Sequence, residues 1–272
     1  MARMALGLEY DGTAFMGWQR QSHAGRTVQG CLEEAISKVA DHPVDVVCAG
    51  RTDTGVHALG QVSHFDVESR RELRSWLLGI NSNLPEDVAA NWIKEVPDDF
   101  HARYRARARQ YRYAIVNRLT RPAVLRSRMT WVRHSLDDER MRAAARFLLG
   151  EHDFSAFRAV ECQARSPVRR IHRLDVHRAG EIIRIELVAD GFLHHMVRNI
   201  VGVLIDIGIG KQDPVWAQRV LQGRDRTLGG ATAPPQGLCF MAVLYPTAYD
   251  LPVPDGALFD GLSPDIKLVS SG

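Results

Sequence analysis

The sequence predicts an α+β protein made of two similar halves, and three observations predict it. Stretches with strand periodicity and stretches with helix periodicity mix along the chain as far as Tyr245, joined by short connections. The order of these stretches in the second half resembles that in the first, although no residue-level repeat is visible. The 272 residues are 45% hydrophobic and 25% charged, a soluble globular composition large enough for one large domain or two ordinary ones.

Leu6 to Tyr10 reads as a first strand, followed by a long polar and glycine-containing loop from Asp11 to Gly25. Thr27 is placed to cap a helix whose apolar residues Val28, Leu32, Ala35, Ile36 and Val39 recur at helical spacing. Val44 to Ala49 reads as a short strand that feeds the loop AGRTDTGVHA, and Gln61 to Val67 as the next strand. A second helix carries Leu73, Trp76, Leu77 and Ile80 on one face, and Val88 to Val96 closes this half as a strand. In the second half, Tyr111, Tyr113 and Ile115 alternate with Arg112, Ala114 and Val116, a strand pattern. Asp137 to Leu149 reads as a helix stopped by Gly150, with strands following at Val168 to His177 and Ile182 to Ala189. Phe192 to Ile207 is a strongly apolar helix; Asp213 and Pro214 open another that Gly223 ends, and Leu238 to Tyr245 is a last strand. The expected division is 1–103, 104–246 and a Pro-, Gly- and Asp-rich tail, 247–272, that is irregular or disordered.

The opening MARMALGLEYDG has no apolar core before Glu9 and Asp11, which argues against a signal peptide. The most apolar stretch, Ile200 to Ile209, is interrupted by Asp206 and too short to span a bilayer, so no membrane role and a cytoplasmic location are expected. Cys31, Cys48, Cys162 and Cys239 form no C-x-x-C pair, which argues against disulfides and a zinc site. The net charge of +3 conceals a polarity: 9 basic and 15 acidic residues in 1–100, against 21 and 10 in 101–198. Ten arginines and no acid lie between Asp99 and Asp137, and planar guanidinium groups suit phosphates.

Several features invite specific chemistry. Asp53-Thr54-Gly55 is the triplet of aspartic proteases, but no second triplet exists to share a proton, and Arg51 places a cation beside it. Taken alone, Asp53 reads more readily as a turn aspartate capping its own loop than as a catalytic group. His194 and His195, read as helical neighbours, point about 100° apart and make a poor pair of metal ligands. Gly208-Ile209-Gly210-Lys211 lacks the spacing of a phosphate loop and reads as a helix C-terminus. Tyr111 and Tyr113, flanked by arginines, read either as core aromatics or as base-stacking rings of an RNA groove.

Taken in order over roughly residues 5 to 245, the motifs YDGTAFMGWQRQ, TVQGCLEEAI, AGRTDTGVHALGQV, FHARYRARARQYRYAIVN, HDFSAFR, GFLHHMVRNIVG and APPQGL resemble the TruA-type tRNA pseudouridine synthases. The resemblance implies two α+β halves with antiparallel sheets joined into a central sheet, a catalytic cleft between them, and a homodimer. It implies a cofactor-free, metal-free isomerisation of uridines in the anticodon stem-loop of tRNA, at tRNA positions 38, 39 and 40. By position, Asp53 matches the family's catalytic carboxylate, Tyr111 its substrate-contacting tyrosine, and Arg51 the arginine implicated in flipping the target base. Arg198 is a candidate basic partner of Asp53, and Leu238 a candidate lining residue of the uracil pocket.

Overall fold

The run ARMALGLEY forms β1 (Ala2–Tyr10), which is buried continuously from Met4 to Leu8 because both faces of its sheet are covered. In the computed structural model, which describes residues 1–21, 25–68, 71–259 and 262, β1 pairs antiparallel with β3 (His57–Val67) on one side and β4 (Val88–Val96) on the other. Met4, Leu6 and Leu8 share a face with Phe65, whose ring meets that of Trp76 on α2 (Leu73–Asn83). α2 packs in turn on α1 (Val28–Ala40), where Gly79 abuts Val39. Thr27 caps α1 as its position predicts, accepting the Gly30 N–H at 3.3 Å.

The expected strand at Val44 to Ala49 is reduced to β2 (Val47–Cys48), paired with β3. Side chains of α1 take its remaining backbone: Val44 N–H donates to Ser37 Oγ, and Val46 N–H to the buried carboxylate of Glu33. With those donors satisfied, no strand partner is needed there.

By internal packing the chain divides into two units, Met1–Arg109 together with the chain from Phe240 onward, and Gln110–Cys239. The first unit has the strand order β4-β1-β3-β10, in which β10 (Leu238–Leu244) brings the last part of the chain back beside β3. After β10 the backbone makes one short helical turn, Thr247–Tyr249, and continues without regular structure to Phe259. Tyr249 Oη donates to Asp99 at 3.0 Å, and Lys94 pairs with Asp250 at 2.6 Å. The rest of the expected tail, residues 260, 261 and 263–272, lies outside the described residues.

The second unit has the order β5-β9-β8-β7, built from β5 (Ala108–Asn117), β7 (Gly150–Asp153), β8 (Val168–Ala179) and β9 (Ile182–Ala189). β6 (Thr130–Val132) runs parallel to β5, so the pairing is mixed rather than wholly antiparallel. The helices are α3 (Asp138–Ala145), α4 (Met196–Ile209) and α5 (Trp216–Gly223). α3 begins under its Asp137 cap but gives way to a tighter turn at Arg146–Leu148, after which Gly150 opens the unforeseen strand β7. Gly210 ends α4 with φ +89°, so the Gly-Ile-Gly-Lys stretch is a helix C-terminus as expected. Among the described residues, no helix is long and apolar enough to cross a membrane.

Candidate active site

The loop AGRTDTG joins β2 to β3 within the first unit, and its backbone is fastened almost residue by residue. Ala49 N–H donates to Val62 O at 2.8 Å. Gln61 Nε2 donates to Gly50 O at 2.6 Å, and Gly50 N–H returns to Gln61 Oε1 at 3.4 Å. Thr52 O accepts from Trp18 N–H at 3.0 Å, while the Thr52 hydroxyl lies 2.8 Å from that of Tyr10. Beyond it, Asp53 O accepts from Val56 N–H at 3.1 Å, and Gly55 N–H donates to Phe15 O at 3.3 Å. Tyr10, Thr52 and Gln61 are all buried, so losing any of these bonds would strand a polar group away from water.

Turning Thr52 inward sets what its neighbours do. Arg51 is exposed, Asp53 is half-buried and Thr54 is exposed again. The loop thus presents a carboxylate whose backbone cannot drift, beside a guanidinium free to extend into solvent.

The segment from Tyr10 to Gln21 braces the loop from outside. A Cβ at Gly12 would lie 2.0 Å from Val56 O, and one at Gly17, where φ is +87°, would lie 2.8 Å from Thr52 O. Only glycine permits so close an approach. At the base of the loop, Arg109 Nη2 donates to Ala49 O at 3.2 Å and to Arg103 O at 2.6 Å. Burial pushes the Cys48 thiol up to about 12 despite the nearby charges of Arg51 and Arg103, so it stays protonated and unreactive.

Within the second unit, Tyr111 on β5 is 7% exposed and meets Phe192 edge-to-face, with centroids 5.0 Å apart. Tyr113, two residues on, is fully buried; its hydroxyl lies 2.5 Å from Thr130 Oγ1 and donates to Pro234 O at 2.8 Å. Burial raises its phenol pKa further above the ordinary value. Arg198 on α4 donates through Nε to Ala233 O at 2.8 Å, and Ala233 N–H returns to Arg198 O at 3.1 Å. Leu238, the first residue of β10, is buried. Tyr113 and Arg198 therefore hold, from two sides, the APPQGL segment that ends at Leu238.

The histidine pair corrects an expectation. His195 has φ +62° and precedes α4 instead of lying within it, because Leu193 to Met196 forms a turn in which Met196 N–H donates to Leu193 O. The two rings lie 4.1 Å apart, so the helical divergence of about 100° does not apply to them.

The residues that sequence reasoning missed are positioning ones. Tyr10, Trp18, Gln61 and Arg109 fix the loop that carries Asp53 and Arg51. Tyr10 and Trp18 stand in YDGTAFMGW, but only the fold shows that their partners lie 34 to 42 positions away.

A family model described as tRNA pseudouridine synthase matches residues 8–105 and 144–246. The chain is 55% identical over 252 residues to a protein of Alcanivorax borkumensis named tRNA pseudouridine synthase A, covering 93% of this chain and 94% of that one. Relatives of the same name from Methylococcus capsulatus and Coxiella burnetii are 54% and 53% identical, covering 97% and 95% of this chain and 97% and 99% of theirs. With both parts of the chain matched and identity above one half along nearly the full length, the chain belongs to the tRNA pseudouridine synthase family.

Proposed function

We propose that this protein isomerises uridine to pseudouridine in the anticodon stem-loop of tRNA, with Asp53 as the acting carboxylate. The observation that carries the reading is the loop itself, a half-buried carboxylate on a backbone pinned by Tyr10, Gln61 and Trp18, in a chain of this family. The relatives' name supplies tRNA as the substrate class.

The chemistry needs few groups. The C1′–N1 bond breaks, the uracil turns, and a C1′–C5 bond forms, while the proton on C5 leaves and N1 gains one. Atoms balance without water, oxidant or leaving group. One fixed carboxylate can serve as nucleophile at C1′ or as a base at the sugar for a glycal route. A base in a stem must first leave the stack, at a cost of a few kcal/mol. In this reading Arg51, exposed and adjacent, occupies the vacated space, Tyr111 contacts the extruded base, Leu238 lines its pocket, and Arg198 is the basic partner of Asp53. The family resemblance also carries a homodimer working in the cytoplasm, for which sedimentation of the purified protein is the first test.

Incubation with a defined tRNA transcript, followed by nucleoside analysis, should yield pseudouridine and no free uracil. Free uracil would point instead to a glycosidase. Asp53→Asn should abolish product while retaining tRNA affinity, because affinity rests mainly on phosphate contacts. Appreciable pseudouridine from that variant would reject the assignment of Asp53.

A further inference from the structure

Tyr104 stands out in the first unit. It is 74% exposed, whereas Trp131, the other exposed large aromatic side chain among the described residues, is 39% exposed. Its ring does not wave freely. It lies on the His101 ring, with centroids 4.2 Å apart and planes 31° from parallel, and His101 in turn rests against buried His64 at 4.8 Å. His101 Nδ1 accepts the N–H groups of both Arg103 and Tyr104 at 3.2 Å, and Arg105 N–H donates to His101 O at 2.9 Å, so the turn 101–105 is rigid. The Arg103 guanidinium sits 5.7 Å from the tyrosine centroid.

This turn is also coupled to the catalytic loop. One guanidinium, that of Arg109, binds Arg103 O and Ala49 O together, and Ala49 begins AGRTDTG. The charges of Arg51 and Arg103 both act on the Cys48 thiol.

A supported ring with an open side, beside the Arg103 guanidinium and tied to the loop that bears Asp53, has the chemistry of a nucleobase platform; Arg105 on its other flank is paired with Asp99. We propose that Tyr104 stacks on a base of the tRNA substrate and thereby sets the RNA relative to Asp53; this rests on the proposed reading of tRNA as substrate. A protein partner would instead favour a contiguous apolar patch, and here the neighbours are Arg103 and Arg105. Tyr104 is thus a positioning residue, acting through the RNA rather than on the reacting atoms.

The test is tRNA affinity in an Asp53→Asn background, where turnover does not intervene. Tyr104→Ala should raise Kd on the order of tenfold, and Tyr104→Phe should bind like the parent, since the ring and not the hydroxyl stacks. The thermal midpoint should not move in either variant, which separates stacking from a structural role. Unchanged affinity in Tyr104→Ala overturns the proposal, as does an equal loss in Tyr104→Phe. A lowered association state in sedimentation, with affinity per chain unchanged, would mark the ring as a contact between copies of this chain. Failure of the substrate reading is distinguishable, because the unmutated protein would then neither bind nor modify tRNA.

Discussion

Thr52 and Asp53 are adjacent, yet one is sealed in the core with Tyr10 and the other faces partly outward. The difference decides which of them is available for chemistry, and it comes from the partner, not the residue type. Tyr111 and Tyr113, both buried on one strand, differ in their partners: Tyr111 meets Phe192 edge-to-face, whereas the Tyr113 hydroxyl is bonded to Thr130 and Pro234. The Tyr113 hydroxyl bonds buried Thr130 and the Pro234 carbonyl, so Tyr113→Phe should cost about 1–3 kcal/mol, chiefly by leaving the Thr130 hydroxyl without its partner, and Tyr113→Ala about 3–5 kcal/mol through the cavity as well. Denaturant unfolding of the two variants checks this, and an unaltered midpoint for Tyr113→Ala would show that its packing is dispensable. The arginine run also resolves residue by residue. Arg105 pairs with Asp99, Arg112 with Glu186 and Arg118 with Glu181, while Arg109 binds carbonyl groups. A stretch without acids in sequence is therefore not without acids in space, and composition alone overstates how many of these cations are free for phosphate.

Among the elements, the loop that carries Asp53 is held by a neighbour that is itself a loop. Gly12→Ala would drive its Cβ into Val56 O, and the bracing segment or the Asp53 loop must shift. A displacement of about 1 Å can cost on the order of 100-fold in rate, so this variant should lose activity far out of proportion to any loss of helix or strand signal in circular dichroism. Parental kcat in Gly12→Ala would show that the brace does not position Asp53. Most elements were legible because their periodicity and caps are local, as in α1 with Thr27, and β4 and β9 fall at the positions their patterns predict. The misses have physical causes that sequence patterns do not encode. Val44 and Val46 gave their N–H groups to side chains of α1, and His195 took a left-handed conformation that shortens α4 at its start. The loop AGRTDTG stands out in the sequence through its residues and its resemblance, but the roles of Gln61 and Arg109 in holding its backbone show only in the fold.

For the molecule as a whole, acid should weaken both units, through His64 and His101 in the first and through His172, lowered chiefly by burial, in the second. His64 is buried, accepts the Ala102 N–H through Nδ1, and is pushed down to about 4 by burial, with His101 and Arg3 adding repulsion and Asp66 opposing them. His101 is lowered too, again mainly by burial. An unfolded histidine titrates near 6.5, so between that value and about 4 the unfolded chain binds more protons than the folded one. The contribution is complete above pH 6.5 and declines as the pH falls toward 4. Thermal midpoints measured across this window should drop, and His64→Gln should flatten the drop; a flat profile in the parent protein would refute the assignment. The return of β10 to the first unit has a further meaning for how the chain is made. Synthesis proceeds from the N-terminus, and early domains ordinarily fold while later ones are still emerging. Here the unit that carries Asp53 includes the chain from Phe240 onward, so until the ribosome has released that segment β3 keeps an open edge able to pair with the wrong strand. The unit begun first is finished last, and a nascent chain halted before Phe240 lacks most of the strand that lies beside β3.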